Sequence, residues 1–136
     1  AIEYLKKTEE AGLVHCASND TSTNHIIICN CCECCCGALK PTKELQFKTV
    51  RPSNFIPKIN EKFCVLCESC LEKCPMEAIS HSESNEELEI DYNLCIGCGV
   101  CASNCVENAI MMEKIQNIIP PRENKMGNRT FFELIQ

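Results

Sequence analysis

Apolar and polar positions divide the chain into a helical start, a cysteine-rich segment and a series of short strands. Residues 1–14 set Ile2 and Leu5 among charged side chains, a spacing that predicts a helix with one apolar side. Gly12 provides a stop, because glycine favours the position just past a helix end. Residues 17–24 are polar and predict a loop, and residues 25–28 form a short apolar run typical of a strand.

The following segment predicts short elements separated by loops. Residues 45–50 alternate apolar and polar and predict a strand or an extended arm, while Pro41 and Pro52 break regular structure. Residues 56–60 predict a strand, which Pro57 places near a sheet edge. Single helical turns are predicted at 69–73 and 100–104, a hairpin from 78–82 and 87–92 around 83–86, and a last strand at 109–115.

Eight cysteines form two copies of one pattern inside these elements. The first copy is Cys64-x2-Cys67-x2-Cys70-x3-Cys74 followed by Pro75, and the second is Cys95-x2-Cys98-x2-Cys101-x3-Cys105 followed by Val106. Each cysteine of the first copy has its counterpart 31 positions later. This arrangement predicts the ligands of two [4Fe–4S] clusters.

The spacing also indicates which cysteines share a cluster. Three thiolates two residues apart wrap one side of a cluster, while the fourth lies one helical turn further on and points elsewhere. In the bacterial run of this spacing, the fourth cysteine binds the other cluster. The expected ligands are therefore Cys64, Cys67, Cys70 and Cys105 for cluster one, and Cys95, Cys98, Cys101 and Cys74 for cluster two.

Residues 56–115, a little under half of the chain, resemble a bacterial-type dicluster ferredoxin. The resemblance implies an α+β fold of two β–loop–helix–β halves related by a pseudo-two-fold axis, and transfer of single electrons at low potential. Gly97 and Gly99 of the second loop have bulkier counterparts in the first, Leu66 and Glu68. Because cluster charge, hydrogen bonds and exposure set the potential, the two clusters need not be equivalent.

Seven further cysteines precede this module and form a pool of candidate metal ligands. They are Cys16, Cys29, Cys31, Cys32, Cys34, Cys35 and Cys36. We expect a third iron–sulfur cluster here, with zinc as the alternative, and a redox-active or partly inert thiol group also stays open. Adjacent side chains of an extended chain point to opposite sides, so Cys31 and Cys32 are not expected to bind one metal from a regular strand.

Residues 12–15 and 28–37 are also similar to the segment ahead of the ferredoxin module in larger dicluster iron–sulfur proteins of anaerobes. That resemblance implies that the chain is the C-terminal part of a longer redox protein. The expected organisation is a helix and cysteine-rich metal-binding cap with a linker (1–55), a dicluster ferredoxin domain (56–115) and an irregular C-terminal tail (116–136).

Composition limits the remaining alternatives. The chain has 136 residues, aromatic residues make up 5% and tryptophan is absent, so the hydrophobic core must be small. The fifteen cysteines are an odd number and include adjacent pairs, which argues against a disulfide framework and for reduced thiolates in an anaerobic cytoplasm. A net charge of −6 argues against nucleic acid and favours docking on a basic patch of a redox enzyme. No apolar run reaches the roughly 18 residues that indicate a membrane span.

Several other residues carry weaker predictions. His15 and His25 are expected at the surface or in a cap, with a ligand role left open, and His81 is expected in a turn. Tyr92 is expected to pack rather than to relay electrons, and the tail to fold back on the protein. The apolar residues expected around the clusters are Val65, Leu71, Ile79, Ile90, Ile96, Val100 and Ile110.

Three functions agree with these features. The favoured one is an electron-transfer protein or domain, not an enzyme by itself, that relays single electrons through two clusters and a third N-terminal cluster. The alternative is an electron-relay subunit or C-terminal fragment of a larger oxidoreductase in which residues 29–36 perform chemistry. A metal-binding interaction module without redox activity is the third, and no nucleophilic triad, phosphate loop or HExxH motif points to another enzyme.

Overall fold

The computed structural model of the protein describes residues 1–17, 28–82 and 87–119. Within these ranges it has four short helices: α1 (Ile2–Glu10), α2 (Leu39–Glu44), α3 (Ser69–Glu72) and α4 (Val100–Ser103). The same ranges hold six strands: β1 (Val14–Ala17), β2 (Ile28–Cys31), β3 (Phe55–Ile59), β4 (Ile79–His81), β5 (Leu88–Ile90) and β6 (Ile110–Lys114). The architecture is a small α+β fold, as expected.

The module that carries the repeated cysteines contains two antiparallel strand pairs. β3 pairs with β6 in a register that sets Phe55 opposite Lys114 and Ile59 opposite Ile110. β4 pairs with β5, which confirms the predicted hairpin strands, although its turn at 83–86 lies outside the described residues. Among the residues that the structure describes, the β3–β6 sheet has two strands, and Pro57, which has no amide proton, lies in the edge strand β3 as predicted.

The two cysteine loops share the same backbone conformation at three equivalent pairs of positions. Leu66 and Gly97 have φ angles of 54° and 65°, and Glu68 and Gly99 have φ angles of 63° and 84°. The third pair, Glu77 and Asn108, has φ of 51° at both positions. Glycine adopts this left-handed conformation without strain, whereas Leu66 and Glu68 hold it at a cost. The repeat therefore extends from the sequence to the path of the backbone.

The N-terminal helix is shorter than predicted. α1 ends at Glu10, Gly12 has φ of 84°, and Val14 already begins β1 with its side chain buried. The position of the stop at Gly12 is confirmed, but the residues after it form a strand. β1 and β2 then pair antiparallel, with Cys16 opposite Cys29 and Val14 opposite Cys31. The predicted strand at 25–28 overlaps β2 only at Ile28, since residues 25–27 lie outside the described ranges.

The linker contains a helix that the sequence pattern did not predict. Pro41 was expected to break regular structure, yet it lies in the first turn of α2. The first four amides of a helix have no acceptor within it, so a proline there removes no hydrogen bond. Leu39 anchors α2 with a side chain that is 0% exposed. Residues 45–50 form no strand, and Leu45 and Phe47 are exposed.

Polar contacts fix the N-terminal cap on the module that carries the repeated cysteines. Lys73 Nζ donates a hydrogen bond to the Glu10 carbonyl oxygen at 3.1 Å, and Asn104 Nδ2 donates to the Glu9 carbonyl oxygen at 3.1 Å. Lys43 of α2 forms an ion pair with Glu77 at 2.7 Å. The last turn of α1 and the end of α2 are therefore each tied to the module.

Two groups of buried side chains form the core. The first, here called the cap-side core, joins the cap to the module and consists of Val14, Leu39, Met76, Ala78, Ile96 and Val100. The second, the central core, lies within the module and consists of Cys70, Ile79, Cys101 and Ile110. Six of the seven apolar residues predicted to pack around the clusters lie in or against these cores, while Val65 lies beside the thiols of the first loop with 62% of its surface exposed.

The remaining predictions have mixed outcomes. His81 ends β4 instead of lying in a turn, because its strand pairs as far as Leu88. Tyr92, expected to pack through hydrophobic contacts, is 49% exposed: Lys58 Nζ lies 5.4 Å from its ring centroid, and its hydroxyl donates to the Pro57 carbonyl oxygen. At the start of the tail, the Ile118 amide donates to Asn54 Oδ1. His25 and residues 120–136 lie outside the described residues.

Candidate metal centre

The first candidate site is a cavity at the surface of the module, here called the first cavity. Its empty volume is about 360 Å³. Four of its lining residues are cysteines from the two loops: Cys64, Cys67, Cys70 and Cys105. The walls between these thiols are mainly apolar and come from β3, β5 and β6. The cavity thus brings together three cysteines of the first loop and the fourth cysteine of the second.

A second cavity repeats this arrangement with the roles of the loops exchanged. Its empty volume is about 340 Å³, close to that of the first. It is lined by Cys74, Cys95, Cys98 and Cys101, together with Gly97 and Gly99 of the second loop. Each cavity therefore collects the four thiols that the spacing grouped together.

Backbone amides donate hydrogen bonds to sulfur at matching positions in both halves. The Ala78 amide lies 3.3 Å from Cys74 Sγ, and the Ala109 amide lies 3.3 Å from Cys105 Sγ. The Ser69 amide donates to Cys67, and the Val100 amide donates in the same way to Cys98. Because these bonds favour the charged form of a thiol, they prepare the sulfur atoms to act as thiolate ligands.

The two cavities differ in their exposure to water. Burial raises the pKa of Cys98 to about 11 and the pKa of Cys101 to about 12. In the first cavity, the amide of Ser69 lowers the pKa of Cys67, whose thiol is exposed. A metal entering the second cavity must displace tightly held protons, and its ligands lie in a drier environment.

The donor chemistry of both cavities suits an iron–sulfur cluster. Each offers four sulfur donors from reduced cysteines, mainly apolar walls and amides directed at sulfur. Thiolates favour soft metals and iron–sulfur clusters over the hard cations that oxygen ligands bind. The residues present therefore fit such a group.

Four of the cap cysteines form one group on the β1–β2 hairpin, here called the inner thiols. Cys16, Cys29 and Cys31 lie on the same face of the hairpin as Val14, since paired strand residues share a face. Cys36 accepts hydrogen bonds from the amides of Ala38 and Leu39 at the start of α2, and its thiol also hydrogen-bonds with that of Cys31. Burial and the neighbouring thiols raise the pKa of Cys31 to about 12.

The other three cap cysteines form a separate, compact group, here called the outer thiols. Cys32 Sγ lies 3.0 Å from Cys35 Sγ and 3.2 Å from Cys34 Sγ. All three sulfur atoms lie within 4.8 Å of one another. The hydrogen bonds with Cys35 and Cys34 lower the pKa of Cys32 to about 7.

His15 lies apart from these thiols and does not share their face of the hairpin. Its Nδ1 lies 2.8 Å from Asn30 Oδ1, and it is exposed beside β2. This position agrees with the expectation of a surface histidine.

Comparison with known proteins identifies the module. The profile of the 4Fe-4S dicluster domain family matches residues 63–110. The pyruvate synthase subunit PorD of Methanothermobacter marburgensis is 36% identical over 75 residues, which are 55% of this chain and 86% of that subunit. The chain belongs to the dicluster 4Fe-4S ferredoxin family.

Other relatives of this dicluster ferredoxin include a protein named as a ferredoxin and a protein named as an enzyme. A ferredoxin of Alicyclobacillus acidocaldarius is 37% identical over 78 residues, covering 56% of this chain and 88% of that protein. The dihydromethanopterin reductase (acceptor) of Methanosarcina mazei is 44% identical over 80 residues, covering 57% of this chain and 32% of that enzyme. This dicluster ferredoxin is thus an iron–sulfur electron-transfer protein or domain, and its relatives indicate a redox partner.

Sequence reasoning missed two features of these sites. The first is the set of backbone amides at residues 69, 78, 100 and 109 that donate to sulfur. The sequence could have indicated these donors, because they follow the same 31-residue offset as the cysteines. The division of the cap cysteines into inner and outer thiols has no such signal. It depends on the register of β1 against β2, whose strands are separated by residues 18–27.

Proposed function

We propose that this dicluster ferredoxin relays single electrons along three iron–sulfur sites in the order first cavity, second cavity, inner thiols. A [4Fe–4S] cluster bound at each site would accept and release one electron at a time. The observation that carries this proposal is the continuity of the two cores, which pack against the cysteines of all three sites in turn.

The central core connects the two cavities. It includes Cys70 from the first cavity and Cys101 from the second, and Cys74 and Cys105 pack against it. We assign Cys64, Cys67, Cys70 and Cys105 to cluster one, and Cys95, Cys98, Cys101 and Cys74 to cluster two. The matched left-handed residues and matched amide-to-sulfur bonds support two halves related by a pseudo-two-fold axis.

The cap-side core connects the second cavity to the inner thiols. Cys74, Cys95 and Cys98 pack against one part of it. Cys16, Cys31 and Cys36 pack against another part, on the side of Val14 and Leu39. We assign the third cluster to Cys16, Cys29, Cys31 and Cys36, because these four thiols share one face of the hairpin or contact it.

Exposure suggests where electrons enter or leave. Around the first loop, Phe63 and Val65 are 60% and 62% exposed, and Val106 is 81% exposed. Two carboxylates, those of Glu68 and Glu107, line the first cavity beside them. An apolar surface with acidic groups suits a partner that presents a basic rim around an apolar centre, because opposite charges steer the encounter.

The partner that we infer is a larger oxidoreductase. Relatives named as the pyruvate synthase subunit PorD and as archaeal-type glutamate synthase support this inference. The fifteen cysteines, all free thiols, suit a reducing compartment, and we propose an anaerobic cytoplasm. Among the described residues, the longest helix has nine residues, far fewer than a membrane crossing needs.

Iron analysis tests the three-site proposal. Anaerobically purified protein should contain about twelve irons and as many acid-labile sulfides per chain, four for each cubane. A variant with Cys16→Ser and Cys31→Ser should keep about eight irons and lose one of three paramagnetic resonance signals after reduction. About eight irons in the unmodified protein would exclude the third cluster and leave the dicluster relay intact.

A second comparison tests the assignment of ligands to cavities. The fourth cysteine of each run is the informative residue, because Cys74 and Cys105 lie on different cavities from their own loops. Cys105→Ser should perturb the spectrum of the cluster that Cys64→Ser perturbs, and Cys74→Ser that of the cluster perturbed by Cys95→Ser. If each fourth cysteine affected the cluster of its own loop, the assignment would be wrong.

A further inference from the structure

The outer thiols form a compact group of three sulfur donors that is distinct from the inner thiols. Two sulfur atoms bound at about 2.3 Å to the same ion are at most about 4.6 Å apart. Cys34 and Cys35 are within this limit of Cys32, with sulfur separations of 3.2 Å and 3.0 Å. The three thiols can therefore reach one metal ion.

The outer thiols are also directed away from the inner ones. Cys32 follows Cys31 directly after β2, and only Cys31 of the two packs against the cap-side core. Cys34 and Cys35 are exposed, in the turn that leads from β2 towards α2. Of the seven cap cysteines, Cys16, Cys31 and Cys36 therefore pack against the cap-side core, whereas none of the outer thiols does.

We propose that Cys32, Cys34 and Cys35 bind one thiophilic d¹⁰ cation, Zn²⁺ or Cu⁺, in a three-sulfur site at the protein surface. Thiolate ligands select ions of this class over harder cations. The site stands apart from the proposed electron route, because it uses none of the twelve cysteines assigned to the three clusters.

The site would leave one coordination position open. Among the described residues, the group of possible ligand side chains contains these three cysteines alone. A structural zinc site is closed by four protein ligands, whereas a site with three protein ligands keeps a position for water or another molecule. Glu33 lies between two of the ligands in sequence but does not join the group. It therefore offers a matched control.

The test measures metal binding on the full chain with its iron in place. Anaerobic protein is loaded with Zn²⁺ alone or Cu⁺ alone, passed over a desalting column and analysed for metal and iron. We expect one equivalent of the added metal per chain. X-ray absorption at the zinc or copper edge, which iron does not obscure, should show three sulfur neighbours, at about 2.3 Å for zinc.

Two variants separate this site from the clusters. The double variant Cys34→Ser, Cys35→Ser should lose the added metal and bind it more than about 100-fold more weakly, since even an outer-shell change costs 10–100-fold. Its iron content and far-ultraviolet circular dichroism should be unchanged, which also shows that it folds. Glu33→Gln should bind one equivalent, as the unmodified chain does.

Several results would overturn the proposal. One is that the unmodified chain binds neither metal. Another is that the bound metal has four sulfur neighbours. A third is that the double variant binds as much metal as the unmodified chain. Loss of about four irons from the double variant would show that the outer thiols serve the third cluster instead. That result is measured as iron content and not as added metal. It would leave the three-site electron route in place but change the ligands of the third cluster.

Discussion

Replacing Gly97 by alanine tests how tightly the second cysteine loop is fitted against β3. A Cβ at this position would lie 2.6 Å from Ser53 Oγ and closer still to the Phe55 carbonyl oxygen. Ser53 cannot easily move, because its hydroxyl donates to the Gly97 carbonyl oxygen at 2.7 Å and its amide donates to the Ile96 carbonyl oxygen. Phe55 begins β3 and is paired with Lys114.

Gly99 provides the matched control for this substitution. It lies in the same loop with φ of 84°, against 65° at Gly97, but a Cβ there meets nothing within 4 Å. Alanine at Gly99 therefore costs only the left-handed strain, about 1–2 kcal/mol. Alanine at Gly97 costs that strain plus the overpacking of backbone against backbone, typically about 1–3 kcal/mol more.

The assay is the rate at which guanidinium bleaches the visible absorption of the clusters under argon, because cluster loss makes the unfolding irreversible. We expect Gly99→Ala to speed bleaching by about 5–30-fold, if the loop forms late in folding. The clusters of Gly97→Ala should bleach at least about 5-fold faster than those of Gly99→Ala. This factor corresponds to the lower bound of about 1 kcal/mol for overpacking. Equal rates for the two variants would show that the contact with Phe55 does not limit this loop.

Three further predictions concern the cap and the exposure of the sites. Leu39→Ala should destabilise the cap by about 2–5 kcal/mol through the cavity it leaves. This loss should speed hydrogen exchange in β1 and β2. The control Leu45→Ala changes an exposed side chain and should leave the exchange rates unchanged. Limiting ferricyanide should destroy the first-cavity cluster before the second, because Cys67 is exposed whereas Cys98 is only partly exposed. Resonance spectra showing the reverse order would contradict this. In the metal-free chain, Cys32 has a lowered pKa of about 7, so its thiolate forms above that pH. Its alkylation rate should be half-maximal near pH 7, and a midpoint near pH 9, the ordinary thiol value, would be incompatible with the hydrogen bonds to Cys34 and Cys35.

Predictions succeeded where the determining contacts are local in sequence. The first three cysteines of each loop are two residues apart, so bringing those three thiols to one cavity depends on few backbone angles. The short helices α3 and α4 and the strands after them follow from the same repeat. Leu66 and Glu68 show the limit of this reasoning, because side chains that disfavour a left-handed φ adopt it where the equivalent Gly97 and Gly99 do.

Predictions failed where a distant contact decided the structure. Considered alone, Pro41 predicts a break in regular structure. The burial of Leu39 between cap and module instead stabilises a helix that includes Pro41. The grouping of the cap cysteines requires the pairing of Cys16 with Cys29, and no local pattern fixes that register. Val65 lies beside the thiols of the first cavity as expected, yet 62% of its surface is exposed, whereas its counterpart Ile96 in the second loop is buried in the cap-side core.

The pairing of β3 with β6 has a consequence for how this module can be combined with other sequences. Phe55 and Lys114 are register partners, and the Ile115 amide donates to the Asn54 carbonyl oxygen at 3.0 Å, so the polypeptide enters and leaves the module side by side. A unit whose two ends are neighbours can be inserted into a loop of a host protein without separating the flanking segments. Gene fusion can therefore transplant this electron carrier as a cassette, with the rest of the host fold left in place.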